Sequence, residues 1–174
     1  YDTSKACMDM LSRSYRHNYG MSVIVTRCSN IYGPGDMNLS RLIPNTIRRA
    51  LTGEGAMLYS DVNKMEREFI YIDDVVSAYE LIATGAFTHA EVNVGGGGPE
   101  KIRSVVDKIS ALCGQDKQPV VINRDPKFKE IQKQYIDSSR LQQFFGWEQK
   151  VDLDEGLKRT VEWYIKYYND GEYS

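Results

Sequence analysis

Tyr1 and Lys5 stand four residues apart at the head of a helix-patterned segment, which puts both side chains on one face, one turn apart. A free phenol ionises at about pH 10 and is a poor acid or base at neutrality. A cation beside it favours the phenolate and brings proton transfer within reach. The pair fits a tyrosine general acid/base with a lysine partner. The same spacing also fits an ordinary surface pair, and two residues alone leave both readings open.

Other reactive types fall into plainer roles. Asp73 and Asp74 look like paired carboxylates, but they directly precede a helical pattern and read as its caps. Gly95–Gly98 runs into Pro99-Glu100, so it lacks the third glycine of a dinucleotide fingerprint and the Lys-Ser/Thr of a phosphate loop. It reads as a strand-to-helix turn where backbone packs closely. Cys7, Cys28 and Cys113 show no C-x-x-C spacing and read as buried small side chains in a reducing, cytoplasmic setting. His17 and His89 have no ligand pattern around them and read as surface residues, so no metal site is expected. Trp147 and Trp163 read as core anchors.

The elements that must position these groups alternate between strand and helix. A helix over Thr3–Tyr19 ends at Gly20, with Ala6, Met10, Ser14 and His17 along one face and an apolar stripe of Cys7, Leu11 and Tyr15 beside it. Ser22–Arg27 and Arg67–Ile72 have the β-branched or aromatic make-up of buried parallel strands, and Glu91–Val94 is a third. Further short strands are expected at Ala56–Tyr59, Val120–Asn123 and Tyr135–Ile136. Helices are expected at Arg41–Leu51, from Asp73 or Asp74 to Thr84, at Lys101–Cys113, Ser138–Phe145 and Asp154–Tyr168. Ile102, Val105, Val106, Ile109 and Leu112 share a face of the Lys101–Cys113 pattern. This alternation is α/β. The strands are too few and scattered for a complete doubly wound sheet.

Composition sets bounds. The 174 residues are 41% hydrophobic and 26% charged, enough for a real core, with 22 basic against 24 acidic side chains. That near-balance, without an aromatic-basic stripe, argues against a nucleic-acid binder. The apolar runs at Val23–Val25 and Phe69–Ile72 are far shorter than the roughly 18–20 residues of a membrane span. Nothing at the start reads as a signal peptide, and the chain opens on Tyr as though in the middle of something.

One ordered series of motifs carries more than any part of it. Tyr1-x-x-x-Lys5 is followed by Arg27-Cys28-Ser29-Asn30-Ile31-Tyr32-Gly33-Pro34, then by Arg67-Glu68-Phe69-Ile70-Tyr71-Ile72-Asp73-Asp74-Val75. Val92-Asn93-Val94-Gly95-Gly96, Gly146-Trp147 and a closing Glu155-Gly156-Leu157 helix ending in Glu162-Trp163-Tyr164 complete it. From Tyr1 to about Tyr167 the chain resembles the extended short-chain dehydrogenase/reductase family, the NAD-dependent nucleotide-sugar epimerases and dehydratases. Asn30–Arg49 (N-I-Y-G-P-G-D-M-N-L-S-R-L-I-P-N-T-I-R-R) and Glu130–Ser139 are similar to the CDP-glucose 4,6-dehydratase branch.

The resemblance implies the rear portion of a Rossmann-type doubly wound parallel sheet plus a smaller α/β substrate-binding domain, with the N-terminal Rossmann half absent from this chain. Residues 1–32, with 67–94 returning to them, would form the Rossmann-like part; 33–66 and 95–174 would mainly form the nucleotide-sugar part. It implies Tyr1 as the acid/base at the oxidised sugar hydroxyl, with Lys5 on the nicotinamide ribose, so both are catalytic and cofactor-binding. Asn30, Arg67 and Asn93 would contact the substrate, Asn30 and Arg67 at its phosphates. The R-P-G-D segment of many relatives is missing, so no pyrophosphate arginine is assigned there, and Arg124 is no more than a guess. NAD is the implied cofactor (NADP the alternative), and a homodimer through the Tyr1–Lys5 helix is the implied assembly. The expected reaction is a 4,6-dehydration, with a 4-epimerase or reductase as the alternative and a non-catalytic sugar-nucleotide-binding module as the reading from another class.

Overall fold

A computed structural model describes residues 1–85, 91–123, 125, 127 and 130–170. The chain opens with α1 (Asp2–Tyr19), β1 (Val25–Cys28), β2 (Asn30–Tyr32), α2 (Leu42–Leu51) and β3 (Met57–Tyr59). After a single 3-10 turn at Val62–Lys64 come β4 (Glu66–Tyr71), α3 (Ile72–Thr84), β5 (Glu91–Val94) and β6 (Pro99–Lys101). The rest is α4 (Ile102–Leu112), β7 (Val120–Ile122), β8 (Lys133–Gln134), α5 (Ser139–Phe145) and α6 (Leu153–Asn169).

β4 organises the molecule. It runs parallel to β2, with Asn30 opposite Phe69 and Tyr32 opposite Tyr71. Its first residues also pair antiparallel with β6 and parallel with β8. Strand periodicity sends alternate side chains to opposite faces. Phe69 and Tyr71 enter a core with Tyr32, Ile43, Ile47, Leu58, Val105, Val106, Ile109, Leu157 and Tyr164, which joins α2, α4 and α6. Ile70 points the other way, into a core with Val75, Ala78, Ile82, Val92, Val94, Leu141 and Trp147. The buried faces of α4 (Ile102, Val105, Val106, Ile109) and α6 (Leu157, Val161, Tyr164) are those that the helical period marks out. Gly156 lets α6 approach β2: a Cβ there would lie 2.1 Å from Tyr32 Oη.

The remaining strands form two parallel pairs, β1 with β5 (Val25 opposite Glu91) and β3 with β7 (Met57 opposite Val120). The fold is α/β with mainly parallel pairing, as the alternation implies.

Several details differ from the sequence reading. The first strand begins at Val25, not Ser22, and is only half-buried, since among the described residues it pairs with β5 alone. The four glycines lead into β6, an antiparallel strand the pattern does not show, before the helix begins. Close backbone packing there is real: a Cβ on Gly95 would meet Glu68 and Ile136, and one on Gly96 would meet Gln149. The strand expected at Tyr135–Ile136 lies two residues earlier. Asp73 and Asp74 do not cap α3, whose cap residue is Tyr71. Cys7 is exposed and Cys28 and Cys113 are partly buried, so none is a fully buried core residue; all three are free thiols. The Cys7, Leu11, Tyr15 stripe lies open, as α1 has no buried residue. Trp147 is buried, while Trp163 packs at the margin of the first core. His17 is exposed. His89 and Arg124 lie outside the described residues. Among these, no helix is long and apolar enough to cross a membrane, and no cluster of metal-ligating side chains occurs.

Candidate functional site

Two clefts meet along the line where β2 and the following turn face α2. The larger, about 940 Å³, is lined by Tyr1, by Lys5 and Asp9 of α1, by residues 25–32, and by Tyr79 and 134–136, among others. The smaller, about 500 Å³, is lined by Asn30, Arg41, Asn45, Met57, Tyr59, Arg67, Phe69 and Glu130, among others. Asn30, Arg41, Leu42 and Phe69 belong to both linings, so the two are one continuous surface.

Tyr1 occupies the cap position of α1, one residue before the helix. Its carbonyl accepts the Lys5 N–H at 3.0 Å, the first helical bond, and the Ser4 hydroxyl at 2.6 Å. These bonds set the one-turn separation, and Lys5 Nζ lies 5.4 Å from the Tyr1 ring centre. The Tyr1 side chain is 91% exposed, open to any ligand in the cleft. A second phenol, Tyr79, shares the cleft, bonded to Thr26 Oγ1 at 2.9 Å and set 3.6 Å from Cys28 Sγ. Burial pushes its ionisation up, with the Thr26 bond opposing, so Tyr79 stays a neutral phenol at neutral pH. Burial likewise raises Cys28, which remains a thiol and not a nucleophile.

Asn30 opens β2, and its amide donates to Glu68 O at 2.8 Å across the β2–β4 pair. That bond fixes the side chain at the junction of the clefts. Glu68 itself is buried, and its carboxylate accepts the Ile136 N–H at 3.0 Å, drawing residues 134–136 over the cleft wall. Arg67 reaches the smaller cleft from β4, paired with Glu130. Asn93 is not among the residues lining either cleft: its amide donates to Asp137 O at 2.9 Å, tying β5 to the segment before α5. Of the five residues singled out in the sequence, Tyr1, Lys5, Asn30 and Arg67 therefore share one surface and Asn93 lies apart from it.

The structure adds two groups. Arg41, at the cap position of α2, lines both clefts and pairs with Asp36 at 2.9 Å. Successive Asp and Asn turns shape this loop, Asp36 accepting Asn38 N and Asn38 accepting Ser40 N. The signal for it was an arginine closing a G-D-x-N turn one strand after Asn30. The second is Ser29, whose Oγ is buried in the larger cleft without a hydrogen-bond partner among the described residues. Buried hydroxyls are rarely left unsatisfied, so this one suits a polar ligand. Ser29 lay inside the quoted motif but carried no separate signal.

Comparison with known proteins gives a consistent result. The family described as GDP-mannose 4,6 dehydratase matches residues 1–160. A dTDP-glucose 4,6-dehydratase of Xanthomonas campestris pv. campestris is 33% identical over 95% of this chain and 49% of its own length. The crystal structure of a dTDP-glucose 4,6-dehydratase from Bacillus anthracis in complex with NAD superposes with a TM-score of 0.87 at 30% identity, covering 97% of this chain and 53% of that one. A UDP-glucose 4-epimerase of Thermotoga maritima with UDP-glucose gives the same TM-score at 29% identity, covering 97% and 54%. The chain thus spans about half the length of each of these three relatives.

Proposed function

The chain belongs to the GDP-mannose 4,6 dehydratase family, within the extended short-chain dehydrogenases/reductases, and on that premise we propose that it carries the acid/base tyrosine and the sugar-nucleotide cleft of an NAD-dependent nucleotide-sugar 4,6-dehydratase. The observation behind this reading is the continuous lining that joins Tyr1 and Lys5 to Asn30, Arg41 and Arg67. Residues 1–32 and 67–94 would belong to the dinucleotide-binding part, and 33–66 with 95–174 mainly to the substrate part. The rest of the dinucleotide site would be supplied from outside these 174 residues, in a cytoplasmic homodimer formed through α1.

The residues present fit a nicotinamide dinucleotide at one end. Ser29 offers a buried hydroxyl in need of a partner, and Lys5 an ammonium with three donors for ribose hydroxyls. When bound, that group supplies hydride acceptance and return. The chain's own contribution is proton handling and orientation. Tyr1 takes the proton of the hexose 4-hydroxyl as that carbon is oxidised, and the Lys5 charge favours the phenolate that does so. Arg67 and Arg41 hold the diphosphate, the planar guanidinium matching its paired oxygens, with Asn30 between them at the junction of the clefts. The net change is loss of one water from the hexose, with C4–OH becoming a ketone and C6 a methyl group after elimination across C5–C6. The acid and base for that elimination would lie outside this chain.

The epimerase relative of equal TM-score supports a second reading, a 4-epimerase in which the C4 ketone is re-reduced from its opposite face without elimination. Calorimetric titration separates these proposals from a mere likeness of fold. The chain should bind a nucleoside diphosphate hexose and show no micromolar affinity for NAD by itself. Micromolar NAD binding would place the cofactor site within these residues and overturn the division proposed. In the complete enzyme, Tyr1→Phe should lower turnover by about 10²–10⁴-fold, the usual range for a lost acid/base, with little change in thermal stability. Product analysis for a 4-keto-6-deoxy sugar against a C4 epimer decides between the two reactions.

A further inference from the structure

Arg67 does not meet the smaller cleft as a bare cation. Its Nη2 donates to Glu130 Oε1 at 2.8 Å, and its Nη1 donates to Glu66 O at 2.8 Å and Gln132 O at 3.3 Å. The Arg67 side chain is 14% exposed and that of Glu130 29%, so water screens the pair only in part. Both residues line the cleft. A guanidinium in contact with a carboxylate presents a near-neutral field, and a phosphate arriving at the same edge meets a like charge beside it. Two of the three acceptors on Arg67 are backbone carbonyls, of β4 and of the residue just before β8. Glu130 alone among the three is a side chain that can leave by rotation about its own bonds. Arg41, the other cation of this lining, is paired differently: Asp36 is held by its turn, one oxygen accepting Asn38 N while the other pairs with Arg41.

We propose that Glu130 is a charge gate on the phosphate subsite, its carboxylate holding the Arg67 guanidinium until a ligand phosphate displaces it. The proposal rests on the reading of Arg67 as a phosphate-binding residue. The gate lowers affinity for weakly charged ligands by making them compete with an internal carboxylate. A diphosphate, carrying more charge and more acceptor oxygens, replaces what Arg67 gives up. Glu130 is separated from Arg67 by 63 positions in sequence, so no local motif announces the pairing.

The test is titration calorimetry on the chain with CDP, UDP and dTDP, carrying the tightest forward beside its uncharged nucleoside. Glu130→Gln keeps the shape and a hydrogen bond to Arg67 but removes the charge. It should tighten the diphosphate about tenfold, toward the lower end of measured couplings for close charge pairs, and leave the nucleoside unchanged. The gain should vanish when Arg67→Gln is added. If Glu130→Gln leaves the diphosphate unchanged or weakens it while Arg67→Gln alone weakens it strongly, Glu130 is a fixed support and the gate is wrong, though the phosphate role of Arg67 stands. If Arg67→Gln has no effect on diphosphate binding, or no nucleotide binds, the phosphate reading itself fails and the gate fails with it. Circular dichroism confirms that each variant is folded.

Discussion

Asp74 shows how far a residue's work can lie from its neighbours in sequence. It is buried, and its two carboxylate oxygens accept the backbone N–H groups of Lys150 at 2.9 Å and Val151 at 3.1 Å. It pins the segment entering α6 to the start of α3. Replacing it with alanine leaves those donors without their acceptor, and the buried one at Val151 should cost about 1–3 kcal/mol. Urea denaturation of Asp74→Ala should show the loss, and Asp73→Ala, at an exposed position, should show far less. The sequence placed Asp74 at a helix start, which is correct, and assigned it to that helix, which is not. Capping is a local pattern, whereas a bond across 76 or 77 positions leaves no periodic trace. Arg67 and Glu130 illustrate the same divide. Tyr1-x-x-x-Lys5 was readable because one helical turn fixes its geometry; Ser29 was not, because a missing partner is visible only in three dimensions.

At the scale of elements, legibility followed burial. β4, α4 and α6 stand close to where their apolar periods put them because each buries a continuous face. β6 escaped notice, and β8 stands two residues from where it was expected, because edge pairing through two or three residues needs no apolar side chains. α1 is the opposite case, a clear helix with nothing buried, attached through charges. Asp9 binds Arg27 and Arg13, Arg13 reaches Glu91 at 3.3 Å, and Arg16 donates to Val23 O at 2.9 Å. The Arg27 bond, helped by Arg13 and opposed by desolvation, holds the Asp9 carboxyl below its ordinary value of 3.8. A carboxyl depressed in the folded state contributes stability above its unfolded pKa and loses it as pH falls through the lower folded value. The attachment of α1 should thus be intact at pH 7 and weaken below about pH 4, where free carboxylates take up protons. Asp9→Asn should reproduce that loosening at neutral pH, seen as faster amide exchange throughout α1 and no change in β4. High salt should act in the same direction. Unaltered exchange in the variant would mean that α1 is held by other contacts.

For the whole molecule, one helix joins the candidate chemistry to assembly. α1 brings Tyr1 and Lys5 to the larger cleft and, further along, leaves Leu11 61% and Tyr15 50% exposed, with Met10 more open still. Contiguous apolar side chains left open on a helix call for a partner surface. The proposed homodimer supplies one by setting α1 against its copy, and would hold both acid/base tyrosines in place through a shared bundle. Leu11→Glu combined with Tyr15→Glu puts like charges into that contact. Because α1 contributes no buried residue to the chain's own cores, the double variant should keep its circular dichroism and its urea midpoint while sedimenting as a monomer, where the unaltered protein sediments as a dimer. In the complete enzyme the variant should also lose turnover, since a loosened α1 no longer fixes Tyr1 at the cleft. A monomeric unaltered protein would remove the dimer from the proposal, and a variant that stayed dimeric would move the interface to another face.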